Sequence, residues 1–239
     1  YLVDTYVPFV ENFQQRLMNM GGDIFLDDPV IGLTFSDNKI TKISTKSNEI
    51  DVSNSIVFST IPLANLSKLM PTPSPIPMLE KFVNVSVVVC ILFLKKPLSS
   101  HYWTTVSDEK YPFSAIIQQN RLHPKSPEEI VYLSRYCESF DKLMTSDDSI
   151  IADEWVKALN DIYPSFDLDD LVEVKVVRAK NAAPVPYIGV IEDLAKLNPP
   201  FDNFYFSGYE NILPEDRGVG NSISIGRQIV KNYMIECDV

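Results

Sequence analysis

The chain has 239 residues, enough for one large domain or two small ones, and 45% of them are hydrophobic, which excludes an intrinsically disordered protein. Its net charge of −11 argues against binding to nucleic acid or to an anionic membrane surface, because both require a cationic face. The longest apolar run, from Val87 to Leu94, is too short to span a membrane, and three scattered cysteines predict reduced thiols in a cytoplasmic protein.

The first seventy residues predict one helix followed by short strands. Phe9, Phe13 and Leu17 recur at helical spacing before Gly21-Gly22, which predicts a helix over 6–20. Alternating and β-branched runs separated by turn residues then predict strands over 23–26, 30–35, 40–45, 49–52 and 55–59. Proline at position 62 suits the first turn of a short helix over 62–69.

Four prolines between Pro71 and Pro77 predict a stiff, extended connection to a second region. A long strand over 83–93, apolar on one face and only partly so on the other, is typical of the centre of a sheet. Further strands are predicted over 101–106, 113–118, 130–136 and 171–177, with a helix over 146–160. The predicted fold class is therefore α+β, with a mixed sheet and covering helices in this second region.

A strand, a loop and a glycine-bracketed helix start follow one another near the C-terminus. The aromatic run Phe204–Phe206 predicts a strand, and Gly218 and Gly220 open an apolar pattern at helical spacing. Glycines let a ligand approach the backbone, and a helix start offers unpaired N–H donors. On spacing alone, a tight connection without a ligand remains the simpler interpretation, and neither GxGxxG nor a phosphate loop occurs in the chain.

Other site chemistries find little support in the sequence. There are only two histidines, and HExxH, CxxC and GxSxG are all absent, which argues against a metal site and an acyl-transfer triad. The acid pairs Asp27-Asp28, Asp147-Asp148 and Asp169-Asp170 lie at predicted turns or helix starts, where acids serve as caps. No catalytic residue is therefore assigned.

The segment 204–227, with its Pro-Glu-Asp-Arg-Gly run ending at Gly218, resembles the C-terminal flavin-contacting segment of the FAD-dependent amine oxidoreductase superfamily. The resemblance is to the subgroup that is protoporphyrinogen oxidase-like or UDP-galactopyranose mutase-like. It extends to further stretches of the chain: Asp-Asp-Pro-Val at 27–30, the run 55–62, and the runs 111–124, 130–136 and 177–186.

This resemblance implies a set of cofactor contacts with FAD. The backbone of Val30 would bind the adenine, and Gly208 would let the chain pass close to the ribityl-pyrophosphate portion. The backbone at Gly218, Val219 and Gly220 would face the end of the flavin that gathers negative charge on reduction. A plain strand valine and a tight turn remain the alternatives for these positions.

Three other positions complete the implied site. Many family members carry an acid directly after the glycine that corresponds to Gly208, where it binds a sugar hydroxyl. This chain has Tyr209 there, with Glu210 next, which leaves the side-chain contact open. Arg178 and Arg217 are candidates for binding an anionic substrate, with a surface ion pair as the alternative for Arg178.

The resemblance also implies a domain organisation and a function. Residues 1–77 and 186–239 correspond to the remainder of an FAD-binding domain, and residues 78–185 to a substrate-binding domain. The GxGxxG nucleotide unit of the family is missing and the first residue is Tyr1, so the sequence predicts a C-terminal fragment that binds FAD weakly or not at all and is inactive alone.

The predicted function of the parent protein is oxidation of a small molecule by hydride transfer to FAD. A UDP-sugar mutase-like isomerase acting on a diphosphate sugar, or a non-enzymatic binding module, remains open as an alternative. Loss of the nucleotide unit would expose sheet edge and apolar surface, which predicts self-association.

Overall fold

The computed structural model describes residues 6–76, 78–123, 127–197 and 201–237. Contacts among them divide the chain into two compact units. The sheet unit comprises 1–24 and 85–183, and the meander unit comprises 25–84 and 184–239, each over its described positions. The predicted boundary at Pro77 lies outside the described residues, and the assignment of an FAD-binding and a substrate-binding role to two parts of the chain stays a prediction.

The meander unit opens with a three-stranded antiparallel sheet. Strands β1 (Val30–Ser36), β2 (Lys39–Thr45) and β3 (Glu49–Asp51) pair in chain order. Asp37 and Asn38 turn between β1 and β2 with φ angles of 46° and 64°, the left-handed conformation that two-residue hairpins favour. The strand expected over 23–26 is wrong: this segment is irregular, and with Phe25 63% and Leu26 71% exposed it has no buried face.

The second sheet of the meander unit is a short parallel pair. Strand β4 (Val57–Ser59) lies beside strand β10 (Phe204–Phe206), although most of the chain separates them in sequence. Helix α2 (Leu63–Leu69) follows β4, and a 3₁₀ turn (Tyr209–Ile212) follows β10. Because parallel strands end at the same edge of a sheet, these two following segments lie side by side.

One buried amide joins the two sheets of the meander unit. The Asn203 side chain, 4% exposed, donates to the backbone oxygens of Ile40 (2.9 Å) and Ser55 (3.0 Å), and its Oδ1 accepts from the Ile40 N–H (2.9 Å). Around it packs an apolar core that includes helix α4 (Val190–Lys196), which the sequence analysis did not predict. The core side chains are Ile40, Leu63, Leu66, Ile76, Leu79, Phe82, Val190 and Phe204.

The sheet unit is built on five strands, which are β5 (Asn84–Leu94), β6 (Trp103–Thr105), β7 (Ala115–Gln118), β8 (Glu129–Cys137) and β9 (Leu171–Pro184). They lie in the order β6-β7-β8-β5-β9. The pairs β6–β7, β7–β8 and β5–β8 are antiparallel. Strand β5 has neighbours on both sides, as its apolar pattern predicted, and β9 runs well beyond its predicted end at 177.

Helix α3 (Asp148–Ile162) covers this sheet. It buries Ile151, Trp155 and Leu159, each at most 1% exposed, and the Trp155 ring packs 5.7 Å from that of Phe113. The buried face of β5 is the even-numbered one, which carries Asn84 and Ser86 as well as Val88, Cys90 and Leu92. Burial raises the pKa of the Cys90 thiol to about 12, so this cysteine is an inert core residue.

Two helices have largely exposed apolar side chains. Helix α1 (Val7–Asn19) has no buried residue, and helix α5 (Val219–Cys237) exposes Val230, Met234 and Ile235. Among the described residues, no helix combines the length and the apolar character needed to cross a bilayer. The α+β fold class is confirmed.

Candidate functional site

The candidate site is the segment that links strand β10 to helix α5. Ser207 donates its N–H to Ser59 O at 2.9 Å, which extends the pairing of β10 with β4 by one residue. The chain then enters the 3₁₀ turn, and Asn211 Oδ1 accepts from the Gly208 N–H at 3.0 Å. The predicted order of strand, loop and glycine-started helix is therefore present in the meander unit.

Gly208 is buried, and other atoms of the chain lie very close to its Cα. A Cβ at this position would lie 2.2 Å from Glu210 Oε2 and 3.1 Å from Ile61 O. Its φ and ψ angles of −85° and 178° are open to any residue, so space and not backbone conformation requires the glycine. The occupant of that space is a carboxyl group of the chain, whereas the resemblance assigned it to a ligand; the ligand contact stays a prediction.

Glu210, which the sequence analysis did not single out, is 1% exposed. Its Oε1 accepts from the Leu63 N–H at 3.1 Å, and its Oε2 has no hydrogen-bond partner in the described part of the chain. Burial raises the pKa of this carboxyl above its ordinary value, while its hydrogen bonds and the nearby Asn84 amide act in the opposite direction. The Asn84 side chain is itself buried and makes no well-formed hydrogen bond with any described residue.

Tyr209 at the start of the loop and Arg217 at its end lie close to each other. Arg217 lies 5.9 Å from the centre of the Tyr209 ring, a distance at which a guanidinium is attracted to an aromatic face. Burial raises the pKa of the Tyr209 hydroxyl to about 12, with the Glu210 carboxylate adding to the shift and Arg217 opposing it. Tyr209 therefore stays a neutral phenol at physiological pH.

The start of helix α5 is open. Gly218, Val219 and Gly220 are exposed, and a Cβ at either glycine would have no atom within 4 Å. Ser222 donates both its N–H (2.9 Å) and its hydroxyl (3.0 Å) to Gly218 O, which fixes the first turn. The first amides of an α-helix have no intrahelical acceptor and carry positive potential, so this end of α5 has both the room and the donors for an anionic group.

Val30 lies elsewhere in the meander unit. It is the first residue of β1, an outer strand of its sheet, pairs with Thr45 and is 43% exposed. One side of its backbone therefore faces away from the neighbouring strand. That position is compatible with the predicted backbone contact to adenine, which stays a prediction.

Arg178 belongs to the sheet unit, and the chain itself engages its guanidinium. Nε donates to Leu143 O (2.8 Å), one terminal nitrogen to Ser146 O (2.6 Å) and the other to Asp148 Oδ1 (2.5 Å). Its side chain is 20% exposed. This is a larger structural role than a surface ion pair, and substrate binding by Arg178 would require these bonds to be exchanged.

A metal centre and a groove in the sheet unit are two alternative kinds of site. No group of three or more His, Cys, Asp or Glu side chains in the described ranges is arranged to hold a metal ion. A groove of about 1020 Å³ runs along α3 in the sheet unit, with Tyr111, Val156, Leu171 and Val174 in its lining. None of the predicted cofactor or substrate residues lines this groove.

Sequence reasoning missed Glu210, Asn84 and Asn203. The one indication in the sequence was an acidic residue among aromatic and apolar neighbours. Glu210 lies between Tyr209 and Ile212, in a turn that follows an aromatic strand. Glu210 and Asn203 bond to backbone contributed by a distant part of the chain, which a local pattern does not reveal.

Several solved structures share this fold over most of the chain. The chain aligns over 95% of its length with 51% of a protein assigned as a protoporphyrinogen oxidase from Exiguobacterium sp. 255-15, at a TM-score of 0.75 and 15% identity. It also aligns over 84% of its length with 45% of a reduced UDP-galactopyranose mutase (TM-score 0.66, 16% identity). A redesigned putrescine oxidase aligns over 95% of this chain and 52% of its own, with a TM-score of 0.68 and 11% identity.

The chain spans about half the length of these solved structures. No family profile matches the sequence. No curated protein matches it either.

Proposed function

We propose that this chain, which has the fold of FAD-dependent amine oxidoreductases over about half their length, is the part of such an oxidoreductase that holds FAD against a small-molecule substrate. The observation that supports this most directly is the open N-terminus of α5, directly after strand β10 and its loop. Bound FAD would supply the redox chemistry, accepting a hydride from the substrate.

The residues of the chain fit the reactive end of a flavin. The exposed backbone at Gly218, Val219 and Gly220 would donate hydrogen bonds to the ring edge that becomes negative on reduction. The Tyr209 phenol and the Arg217 guanidinium flank the same loop and would contact the cofactor or an anionic substrate. These groups orient and stabilise charge; no residue of the chain is proposed as a proton acceptor.

The parallel pair β4–β10 suggests that a longer protein completes this unit. Within the described chain these two strands pair only with each other, whereas parallel sheets are normally larger and covered on both faces. Solved structures with this fold are about twice as long. We propose that a nucleotide-binding unit outside these residues adds to the sheet and holds most of the FAD, so that the chain alone binds FAD weakly and does not turn over.

A substitution at Gly220 tests the proposal in the full-length product of the gene. Gly220→Asp adds a carboxylate in the first turn of α5, where an acid favours the helix. The variant should therefore fold as well as the wild type. Its affinity for FAD should fall on the order of tenfold or more, because the added carboxylate would face an electron-rich carbonyl edge in the oxidised flavin and a negatively charged edge in the reduced flavin.

The matched control is Gly226→Asp, in the same helix and also open to a Cβ. It should leave FAD affinity within about twofold of the wild type, since its carboxylate lies more than one helical turn away. Affinity is read from visible absorbance and flavin fluorescence during titration. Equal affinities for both variants, or a colourless full-length protein, would count against the proposal and favour a binding module without cofactor.

An isomerase acting on a diphosphate sugar is the second candidate, favoured by the alignment with the reduced mutase. Arg217 beside Tyr209 would then contact the diphosphate. The two candidates separate in one assay: an isomerase interconverts UDP-sugars only with reduced flavin and consumes no oxidant, whereas an oxidoreductase consumes an electron acceptor in proportion to product.

A further inference from the structure

Helix α2 begins without a cap of its own. Pro62 occupies its N-cap position and provides no side-chain hydrogen bond. The first N–H groups of any α-helix need an outside acceptor, and they favour a negative or strongly polar one. At Leu63, the first residue of α2, that acceptor is Glu210 Oε1 at 3.1 Å.

The capping carboxyl comes from the turn after the neighbouring parallel strand. Because β4 and β10 end together, α2 and the 3₁₀ turn Tyr209–Ile212 lie side by side. The bond is buried, with Leu63 fully buried and Glu210 1% exposed. It therefore links two chain segments that are far apart in sequence, and it is shielded from competition by water.

Gly208 provides the room for this carboxyl. An added Cβ would lie 2.2 Å from Glu210 Oε2, shorter than any real contact, and 3.1 Å from the backbone oxygen of Ile61. Ile61 O is backbone and cannot swing away, and the carboxyl is held by Leu63. A side chain at position 208 would thus displace the cap.

We infer that Gly208 and Glu210 act together. The glycine leaves space for the Glu210 carboxyl, which caps α2 from the adjacent turn and thereby positions Tyr209. The capping part stands on the geometry alone. The positioning part rests on the proposed function, because Tyr209 and Arg217 flank the proposed flavin site. Glu210 is a positioning residue here, since it is turned into the core and not toward a ligand.

A double-mutant cycle on the 239-residue chain tests the coupling between Gly208 and Glu210 without any cofactor. Gly208→Ala should raise the equilibrium constant for unfolding by on the order of a hundredfold when Glu210 is present. In the Glu210→Ala background the same change should raise it by roughly tenfold or less, because the carboxyl is then gone and only the 3.1 Å contact with Ile61 O remains. Unfolding is followed in urea by far-ultraviolet circular dichroism, because both tryptophans of the chain, Trp103 and Trp155, lie in the sheet unit.

The control cycle pairs Gly218→Ala with Glu210→Ala. Gly218 has open space around it, so these two changes should be additive within experimental error. If Gly208→Ala alone yields no folded protein, recovery of folded protein in the double variant supports the inference. Additive costs in the Gly208–Glu210 cycle, or no recovery, would overturn it.

A second readout separates positioning from stability in the full-length protein. Glu210→Gln keeps an oxygen acceptor for the Leu63 N–H, and it should retain the wild-type flavin absorbance spectrum and FAD affinity. Glu210→Ala should shift the spectrum and weaken FAD binding severalfold, measured at a temperature where both variants are fully folded. Equal spectra and affinities for the two variants would overturn the positioning role, whereas a colourless wild type with an intact cycle would overturn the proposed function only.

Discussion

At the scale of single residues, buried polar side chains hold the meander unit together. The side-chain amide of Asn203 accepts from the Ile40 N–H and donates to the backbone oxygens of Ile40 and Ser55. Truncating it would leave a buried backbone N–H without an acceptor, which is costlier than the loss of an exposed hydrogen bond. Glu210 does the same for the first N–H of α2.

The pH dependence of stability should report on Glu210. Burial raises the pKa of its carboxyl in the folded protein above the ordinary value of 4.5. The folded state therefore holds this proton more tightly than the unfolded chain. The resulting stabilisation is fully present below pH 4.5 and is lost as the pH rises through the folded pKa.

Glu210→Gln removes this titration, so it serves as the reference. The free energy of unfolding of the wild type, relative to this variant, should be highest in acid, decline above about pH 4.5 and then level off. Urea denaturation at a series of pH values measures the difference. A difference that stays flat, or that grows with pH, would contradict a raised pKa.

At the scale of elements, Arg178 connects strand β9 to the entry of helix α3. Its three hydrogen bonds reach Leu143 O, Ser146 O and Asp148, the first residue of the helix. The planar guanidinium satisfies all three acceptors at once, which an ammonium group on a flexible chain does not. The element that buries Trp155 against the sheet is thus fixed at its start by a strand residue.

Arg178→Lys should therefore destabilise the sheet unit by about 2 kcal/mol, because partly buried acceptors lose their donors. Arg135→Lys is the matched control: Arg135 is an exposed strand residue with one bond of 3.3 Å to Pro112 O. It should cost less than about 0.5 kcal/mol. The measurement compares the urea concentrations at which the two variants are half unfolded. Equal midpoints would contradict a structural role for Arg178.

Two elements illustrate why periodicity succeeds in one place and fails in another. Strand β5 was predicted because its alternation is strong and both its faces carry apolar residues. Residues 23–26 carry a short apolar run, Ile24 to Leu26, yet they form no strand because no described element offers a partner edge or a buried face for Phe25 and Leu26. Local pattern sets a preference, and tertiary contacts decide whether it is realised.

At the scale of the whole molecule, apolar surface lies uncovered. Along α1 the side chains of Val10, Phe13 and Leu17 are 57%, 60% and 47% exposed and lie at helical spacing. Helices in globular proteins normally bury such a stripe. Self-association of the chain, predicted from the sequence, stays a prediction that this helix makes testable.

Phe13→Glu should reduce concentration-dependent association in sedimentation velocity, because it places a charge in the middle of the apolar stripe. Gln15→Glu, an exposed residue on the opposite face of the same helix, adds the same charge outside the stripe and should leave association unchanged. A wild-type chain that is monomeric at every concentration would contradict the prediction, as would equal behaviour of the two variants.

The sequence by itself determined the α+β class, most of the elements and the resemblance in fold to FAD-dependent amine oxidoreductases, which the solved structures confirm. These features depend on local propensity, periodicity and short motifs, which are written in neighbouring residues. Only the tertiary structure decided why Gly208 is a glycine and that Glu210 is buried. Only it revealed that the chain itself engages Arg178. The physical reason is the same in each case: the partner atom belongs to a segment remote in sequence, and hydrogen bonds and steric limits depend on distance in space.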